Sequence, residues 1–245
     1  MRAKRFTDIV LSIMLLVVLS PVLVMALFLV WISDFGAPIY AAERIGKDGL
    51  RFRMFKIRTM VVDADKSSVV STAKADRRIT PIGRLIRSTK LDEVMQFINV
   101  LFGSMSLVGP RPNTWRTGVE HYTSVEQRLL SVAPGITDFS SIVFSDEADI
   151  LEGSADPDLA YNQLIRPWKS RLGLIYIDHQ SFSLDMKLIF WTTMNVVSRR
   201  SALKVVSTCL EKIGAPRDVI QICRREHKLV PAPPPGNSNI ATHLS

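Results

Sequence analysis

Asp92 and Glu93 are adjacent carboxylates set among cations: Arg77, Arg78, Arg84, Arg87 and Lys90 precede them and Arg111 follows. Positive charge at that density keeps acids ionised and attracts phosphate. A carboxylate can serve as covalent nucleophile toward phosphorus while its neighbour acts as base or metal ligand. Arg87 and Arg111 could clamp phosphate oxygens two at a time. A pyrophosphate beside carboxylates would normally bring Mg²⁺, which takes its oxygen ligands from carboxylates and substrate phosphates. The competing reading is local, since acids in a first helical turn complement the helix dipole. Local pattern alone favours that second reading, and it also makes Lys56 and Arg58 solvated strand residues.

The elements that must position these groups can be read from pattern. A helix is predicted from about Lys90 to Phe102, with Leu91, Val94, Met95, Ile98, Leu101 and Phe102 on one face and Gly103 as its stop. Thr89 followed by Asp92 resembles a capping box. Neighbours on a helix diverge by about 100°, so the two acids would approach one substrate from different sides. The run Val108-Gly-Pro-Arg-Pro112 can be neither helix nor central strand and reads as a rigid turn that aims Arg111. Lys56 and Arg58 lie on the second of two strand-like runs flanking Asp48-Gly49, a hairpin signal. Residues 61–80 read as a surface loop. Further helices are predicted over 116–131, 156–171 and 184–197. The last is apolar and aromatic with basic ends, which suits a membrane interface or the core equally.

From Ile9 to Ser33 run 25 residues without a charge. As a helix they would reach about 37 Å, enough to cross a hydrocarbon core of about 30 Å. Two features oppose a straight span. Pro21, after Ser20, would break or kink the helix near its middle. Both flanks are basic: Arg2, Lys4 and Arg5 before, then Arg44, Lys47, Arg51, Arg53, Lys56 and Arg58 after. The positive-inside rule would keep both on the cytoplasmic side, which a re-entrant hairpin satisfies and a single span does not. Charge and proline leave both topologies open. A cleaved signal peptide fits poorly, because no A-x-A-like site closes the run. The net charge of +8 favours anionic partners: nucleic acid, lipid headgroups or phosphorylated small molecules. Cys209 and Cys223 form no CxxC, which argues against zinc. The tail from about Glu226, with Pro231-Ala-Pro-Pro-Pro-Gly, reads as disordered.

Several motifs together resemble the bacterial sugar transferases, the monotopic polyprenyl-phosphate phosphoglycosyl transferases. In order they are Lys4-Arg-Phe-Thr-Asp8 with Ser20-Pro21, Arg44-Ile-Gly-Lys-Asp-Gly49, and Phe55-Lys-Ile-Arg-Thr-Met60. Asp76-Arg-Arg-Ile-Thr-Pro-Ile-Gly-Arg84, Leu91-Asp-Glu93 with Gln96 and Asn99-Val-Leu101, and Met105-Ser-Leu-Val-Gly-Pro-Arg-Pro112 follow. Pro134-Gly-Ile-Thr137, Tyr176 and Leu184-Asp185 complete the set, which covers about residues 1–200.

The resemblance implies an α+β, predominantly helical fold. Residues 1–35 would form a re-entrant membrane helix hairpin broken at Ser20-Pro21. Residues 36–205 would form the transferase domain, with a short β-hairpin and interfacial amphipathic helices. Residues 206–245 would be a C-terminal extension. It further implies transfer of a sugar 1-phosphate from a UDP-sugar to undecaprenyl phosphate, at the cytoplasmic face of the bacterial inner membrane. Asp92 would attack the sugar-bearing phosphorus and release UMP, in a ping-pong route through an aspartyl-phosphosugar. Glu93 would assist the lipid acceptor. Mg²⁺ would help, with Asp92 as a ligand, while Arg87 and Arg111 hold phosphates and Lys56 and Arg58 line the site. Membrane lipids are then partners, nucleic acid is not, and a homodimer is compatible. Two departures stand out. Asp92-Glu-Val-Met-Gln96 replaces the usual Asp-Glu-Leu-Pro-Gln, and Asp138 stands where the family usually has Gly. The rival from another class is a membrane-anchored, non-catalytic protein that binds an anionic partner through its basic surface.

Overall fold

The uncharged run lies inside one long helix, α1 (Arg2–Asp34), in the computed structural model, which describes residues 2–64, 72, 76–116 and 118–242. The expected interruption at Ser20-Pro21 is not seen, and Pro21 sits within the helix. The Val17 carbonyl, which Pro21 cannot serve, accepts a hydrogen bond from the Ser20 hydroxyl at 2.8 Å, which lessens the cost of the proline. The most apolar 18 residues of α1 have a mean hydropathy of 3.0, and only 17% of them are buried. Val17, Val18 and Val24 are 65–66% exposed. By length and composition α1 could cross a membrane.

One face of α1 does pack inward. Leu23, Ala26 and Val30, at helical spacing, meet Ile57, Ile86 and Met95. Both ends are tied to the same body of protein. Lys4 Nζ donates to Asp185 at 2.7 Å and to the Val108 carbonyl at 2.9 Å. Asp8 accepts from the Ser106 hydroxyl at 2.8 Å, and Arg5 donates to the Val100 carbonyl at 2.6 Å. At the far end Asp34 accepts two bonds from Arg58, at 2.5 and 2.6 Å.

The predicted hairpin forms from β1 (Ile39–Ile45) and β2 (Arg51–Ile57), paired antiparallel with Ile39 opposite Ile57. Its turn places Asp48 and Gly49 at φ of 56° and 76°, the left-handed region where such residues are tolerated. The loop predicted over 61–80 lies partly outside the described residues, at 65–71 and 73–75. Next comes α2 (Pro81–Ser88), capped by Thr80, whose hydroxyl accepts from Gly83 N at 2.9 Å. A 3₁₀ turn (Leu91–Met95) leads into α3 (Gln96–Phe102), which Gly103 ends at φ 84°.

Two short strands, β3 (Ser106–Val108) and β4 (Gly135–Thr137), pair in parallel; nothing in the sequence pattern had marked them. The rest is helical: α4 (Phe139–Val143), α5 (Glu147–Ile150), α6 (Pro157–Ala160), a π-helical turn (Tyr161–Ile165) and α7 (Arg166–Asp178). Then follow α8 (Phe182–Val197), α9 (Arg199–Lys212) and α10 (Arg217–Arg224). Fully buried Val100, Phe139, Ile142, Leu172, Tyr176 and Leu188 form the centre of the main core.

Two helix expectations need correction. Among the described residues of 116–131 the regular structure is confined to 3₁₀ turns, Val119–His121 and Glu126–Ser131. Glu126 is fully buried and bonded to Arg166 Nη1 at 3.0 Å and to the Ser170 hydroxyl at 2.6 Å. Satisfying a buried charge sets the local backbone against the helical pattern. The helix predicted over 156–171 is split by the π turn and runs on to Asp178; Pro167, lacking an N–H, prevents a continuous ladder there. The chain from about Glu226, expected to be disordered, has no regular structure over the described residues 227–242 but is held there. Ala232 is 7% exposed, its N–H bonds the Gln163 carbonyl at 3.0 Å, and Arg171 reaches the Pro233 carbonyl at 2.9 Å.

Candidate active site

Asp92 and Glu93 stand on the 3₁₀ turn rather than on an α-helix. Lys90, at φ 58°, starts that turn in the left-handed region, so the capping box read from Thr89 and Asp92 does not form. Thr89 instead donates its hydroxyl back to the Ile86 carbonyl at 3.0 Å. A 3₁₀ turn rotates successive residues by about 120°, which separates the two acids further than an α-helix would. Asp92 points inward and is 8% exposed, while the Glu93 side chain is 20% exposed.

Three stitches hold cations around them. Asn99, on α3, accepts from Phe55 N at 2.9 Å and donates to the Arg53 carbonyl at 2.7 Å. That pins the dyad's helix to β2 and brings Lys56 Nζ within 3.6 Å of Glu93. Gly83 lets α2 start against the Thr59 backbone, where a Cβ would lie 2.0 Å from the Thr59 oxygen. Arg87, one turn on, donates to the Thr59 hydroxyl at 2.8 Å. Gly109 and Gly135 touch backbone to backbone where β3 meets β4, so the turn carrying Arg111 is fixed to β4. Arg111 then closes a two-pronged bond on Glu93, one arm at 3.4 Å and the other shorter.

The electrostatics divide the pair. Burial raises the Asp92 pKa, and Glu93 raises it further, against the pull of Lys56, Arg87 and Lys90. Burial would raise Glu93 too, but Arg111 and Lys56 outweigh it and hold that carboxyl well below the usual range. Lys56 is lowered by its own burial, with Glu93 opposing. Among the described residues neither Asp92 carboxylate oxygen has a hydrogen-bond partner. Glu93 is therefore committed to cations and Asp92 is free.

The structure gathers Lys56, Arg87, Asp92, Glu93 and Arg111. It does not bring Arg58 to them, because Asp34 engages the Arg58 guanidinium at the end of α1. Sequence reasoning missed Glu147, Lys169 and Tyr161, which share the field of Arg111. Glu147 and Lys169 are 22 residues apart and meet only through the fold, so no local signal marks them. Asp138 caps α4, accepting from Ser141 N at 2.7 Å and from the Ser140 hydroxyl at 2.7 Å. Its role there is structural.

Among the described residues no group of three or more His, Cys, Asp or Glu could hold a metal. One free carboxylate, Asp92, does suit an ion such as Mg²⁺, which often takes one or two protein carboxylates and fills its shell with substrate phosphate and water.

Residues 1–199 match the family described as bacterial sugar transferase. The chain is 35% identical over 202 residues to the UDP-glucose:undecaprenyl-phosphate glucose-1-phosphate transferase of Klebsiella pneumoniae, covering 81% of this chain and 41% of that protein. It is 36% identical over 214 residues to the undecaprenyl-phosphate galactose phosphotransferase of Salmonella typhimurium, covering 81% and 41%. It is 32% identical over 206 residues to the exopolysaccharide production protein PSS of Rhizobium leguminosarum bv. phaseoli, covering 80% of this chain and 96% of that protein. The chain thus spans less than half the length of the first two relatives and nearly all of the third.

Proposed function

Because the chain belongs to the bacterial sugar transferase family, we propose that it transfers a sugar 1-phosphate from a UDP-sugar to undecaprenyl phosphate. One observation carries the reading. Asp92 is a buried carboxylate without a hydrogen-bond partner among the described residues, set among Lys56, Arg87 and Lys90 and beside a Glu93 already engaged by Arg111.

In this reading the Asp92 carboxylate attacks the sugar-bearing phosphorus of the donor. A P–O bond forms to Asp92 as the P–O bond to UMP breaks, and UMP leaves with the bonding electrons. Desolvation makes Asp92 a stronger nucleophile than a solvated aspartate, because its charge is less well stabilised before attack. An oxygen of undecaprenyl phosphate then attacks the same phosphorus and frees the carboxylate, giving the lipid diphosphate sugar. A phosphate monoester near neutral pH is already largely ionised, so this step needs no strong base. Glu93, held so far below its usual pKa, takes a proton poorly. Its part is to orient Arg111 and Lys56 until substrate phosphate draws them. Mg²⁺, when bound through Asp92 and the donor phosphates, would neutralise phosphate charge.

The two-ended attachment of α1 supports a monotopic arrangement. A straight helix of 33 residues is about 50 Å long, yet Lys4 bonds Asp185 and Asp34 bonds Arg58 in one body of protein. Both basic flanks then lie on one side, the cytoplasmic face of the inner membrane, with the lipid acceptor arriving laterally. The test is UMP release from UDP-sugars with undecaprenyl phosphate. Asp92→Asn is expected to abolish it, and release at the wild-type rate by that variant would overturn the assignment.

A further inference from the structure

Beside the dyad lies a second charged set that the proposed chemistry leaves unused. Glu147, the first residue of α5, accepts from Lys169 Nζ on α7 through Oε2. That ammonium stands 5.3 Å from the ring centroid of Tyr161, which opens the π turn. The pair is partly open to solvent, with Glu147 35% exposed and Lys169 13%. Among the described residues Glu147 Oε1 has no hydrogen-bond partner, and Lys169 donates a single bond. An ammonium has three donors and a carboxylate oxygen two acceptor positions, so both retain capacity.

An acceptor and a donor side by side, with no net charge, suit hydroxyl groups, which both give and take a hydrogen bond. Phosphate would gain little from a neutralised pair, and Arg111, Lys56 and Arg87 are available for it. Arg111, Tyr161 and Lys169 also line a cavity of about 20 Å³. That is room for about one water, so a sugar ring must lie at the exposed Glu147 edge.

This flank is held by the part of the chain beyond residue 199, outside the family match. Asp146, next to Glu147, is ion-paired with Arg225 at 2.8 Å and with Arg199, the last matched residue, at 2.9 Å. Arg225 adopts φ 54° after α10, and its guanidinium sits 5.5 Å from the Phe144 ring centroid. Gln163, in the π turn, accepts from Ala232 N at 3.0 Å and donates to the Ala241 carbonyl at 2.7 Å.

We propose that Glu147 and Lys169 recognise the hydroxyls of a polyhydroxylated ring of the nucleotide-sugar donor, and that residues 200–242 position them, Arg225 acting through Asp146. This rests on the transferase reading. The ring is either the transferred sugar or the ribose, which share this chemistry.

The test is steady-state UMP release for Glu147→Gln, Lys169→Met, Arg225→Gln and Arg225→Lys, with UMP as competing inhibitor. Glu147→Gln and Lys169→Met are expected to raise the donor KM roughly tenfold, the loss of one hydrogen bond to a charged group, with kcat within about twofold. Arg225→Gln is expected to raise KM by less, and Arg225→Lys to restore it. Unchanged inhibition by UMP identifies the transferred sugar as the bound ring, and weakened inhibition identifies the ribose. Donor KM at the wild-type value in Glu147→Gln and Lys169→Met overturns the subsite, as does a loss confined to kcat. If Glu147→Gln does not fold, Lys169→Met and Arg225→Gln decide the same question. Wild-type protein that releases no UMP from any donor would sink the transferase reading. Binding of radiolabelled donor to Asp92→Asn, with and without Lys169→Met, still decides the subsite: weaker binding with the second change supports it, equal binding rejects it.

Discussion

Replacing Gly135 by Ala should disable the site from a distance, through Arg111. The added Cβ would lie 2.1 Å from Gly109 N and 2.4 Å from Gly109 O. Ordinary contact is about 3.5 Å, so the two backbones must part by about 1 Å or more. Overpacking of this kind costs about 1–3 kcal/mol. Two hydrogen bonds cross the same junction, Gly135 N to the Pro110 carbonyl and Gly109 N to the Thr137 carbonyl, each 3.0 Å. Weakening them adds up to about 1 kcal/mol each. The sum is about 1–5 kcal/mol, which for a chain of this size lowers Tm by roughly 2–20 °C. Arg111 follows Gly109 by two residues, and a misplacement of about 1 Å in a catalytic group can cost about 100-fold in rate. Thermal melts of detergent-extracted protein and UMP release below the lowered Tm measure the two effects separately. A Gly135→Ala protein with the wild-type Tm and rate would refute the claim that this glycine contact positions Arg111.

Other outcomes follow from the same geometry. Asp92 has a raised pKa, so kcat/KM should fall on the acid side with an apparent pKa above the ordinary value of about 3.9; an acid limb at or below that value counts against burial as the cause. The native state holds that proton where the unfolded chain has lost it, so stability falls as pH rises from the ordinary pKa to the raised one. Asp92→Asn should therefore melt higher than wild type at neutral pH, and a lower Tm would contradict this. Lys4→Met leaves Asp185, 2% exposed, with Tyr176 but no cation, and should cost about 3 kcal/mol in a chemical-denaturation series; no measurable loss would show that this tether does not hold α1. Single cysteines at positions 3 and 47, in a Cys209→Ser background, should be labelled from the same side of the membrane, and labelling from opposite sides would exclude the monotopic arrangement.

Much of this was legible in the sequence because it is local. Asp48-Gly49 marked the hairpin, the apolar face of residues 184–197 marked α8, and the proline-flanked Arg111 marked a rigid turn. What stayed hidden depends on partners far along the chain. Arg58 directly follows the basic strand β2, and only the fold shows that Asp34, 24 residues away, claims it. Residues 116–131 carry a helical pattern that the buried Glu126–Arg166 pair overrides. The tail is rich in proline, yet Thr123, Gln163 and Arg171 engage its carbonyls. In the sequence Lys4 reads as part of a basic flank and Asp185 as part of a helix, and beyond that they and Tyr176 stand only as family motifs. In the structure Lys4 and Tyr176 reach both Asp185 and the Val108 carbonyl, just before the turn that carries Arg111, so the three belong to the frame of the site.

The central claim is a covalent phosphosugar on Asp92. Protein incubated with a UDP-sugar labelled in the sugar, without undecaprenyl phosphate, should retain label after denaturation and release one UMP for each label retained. The label should map to the peptide containing Asp92, be absent from Asp92→Asn, and leave with added undecaprenyl phosphate. Label-free protein that still makes the lipid product on adding both substrates together would contradict the account.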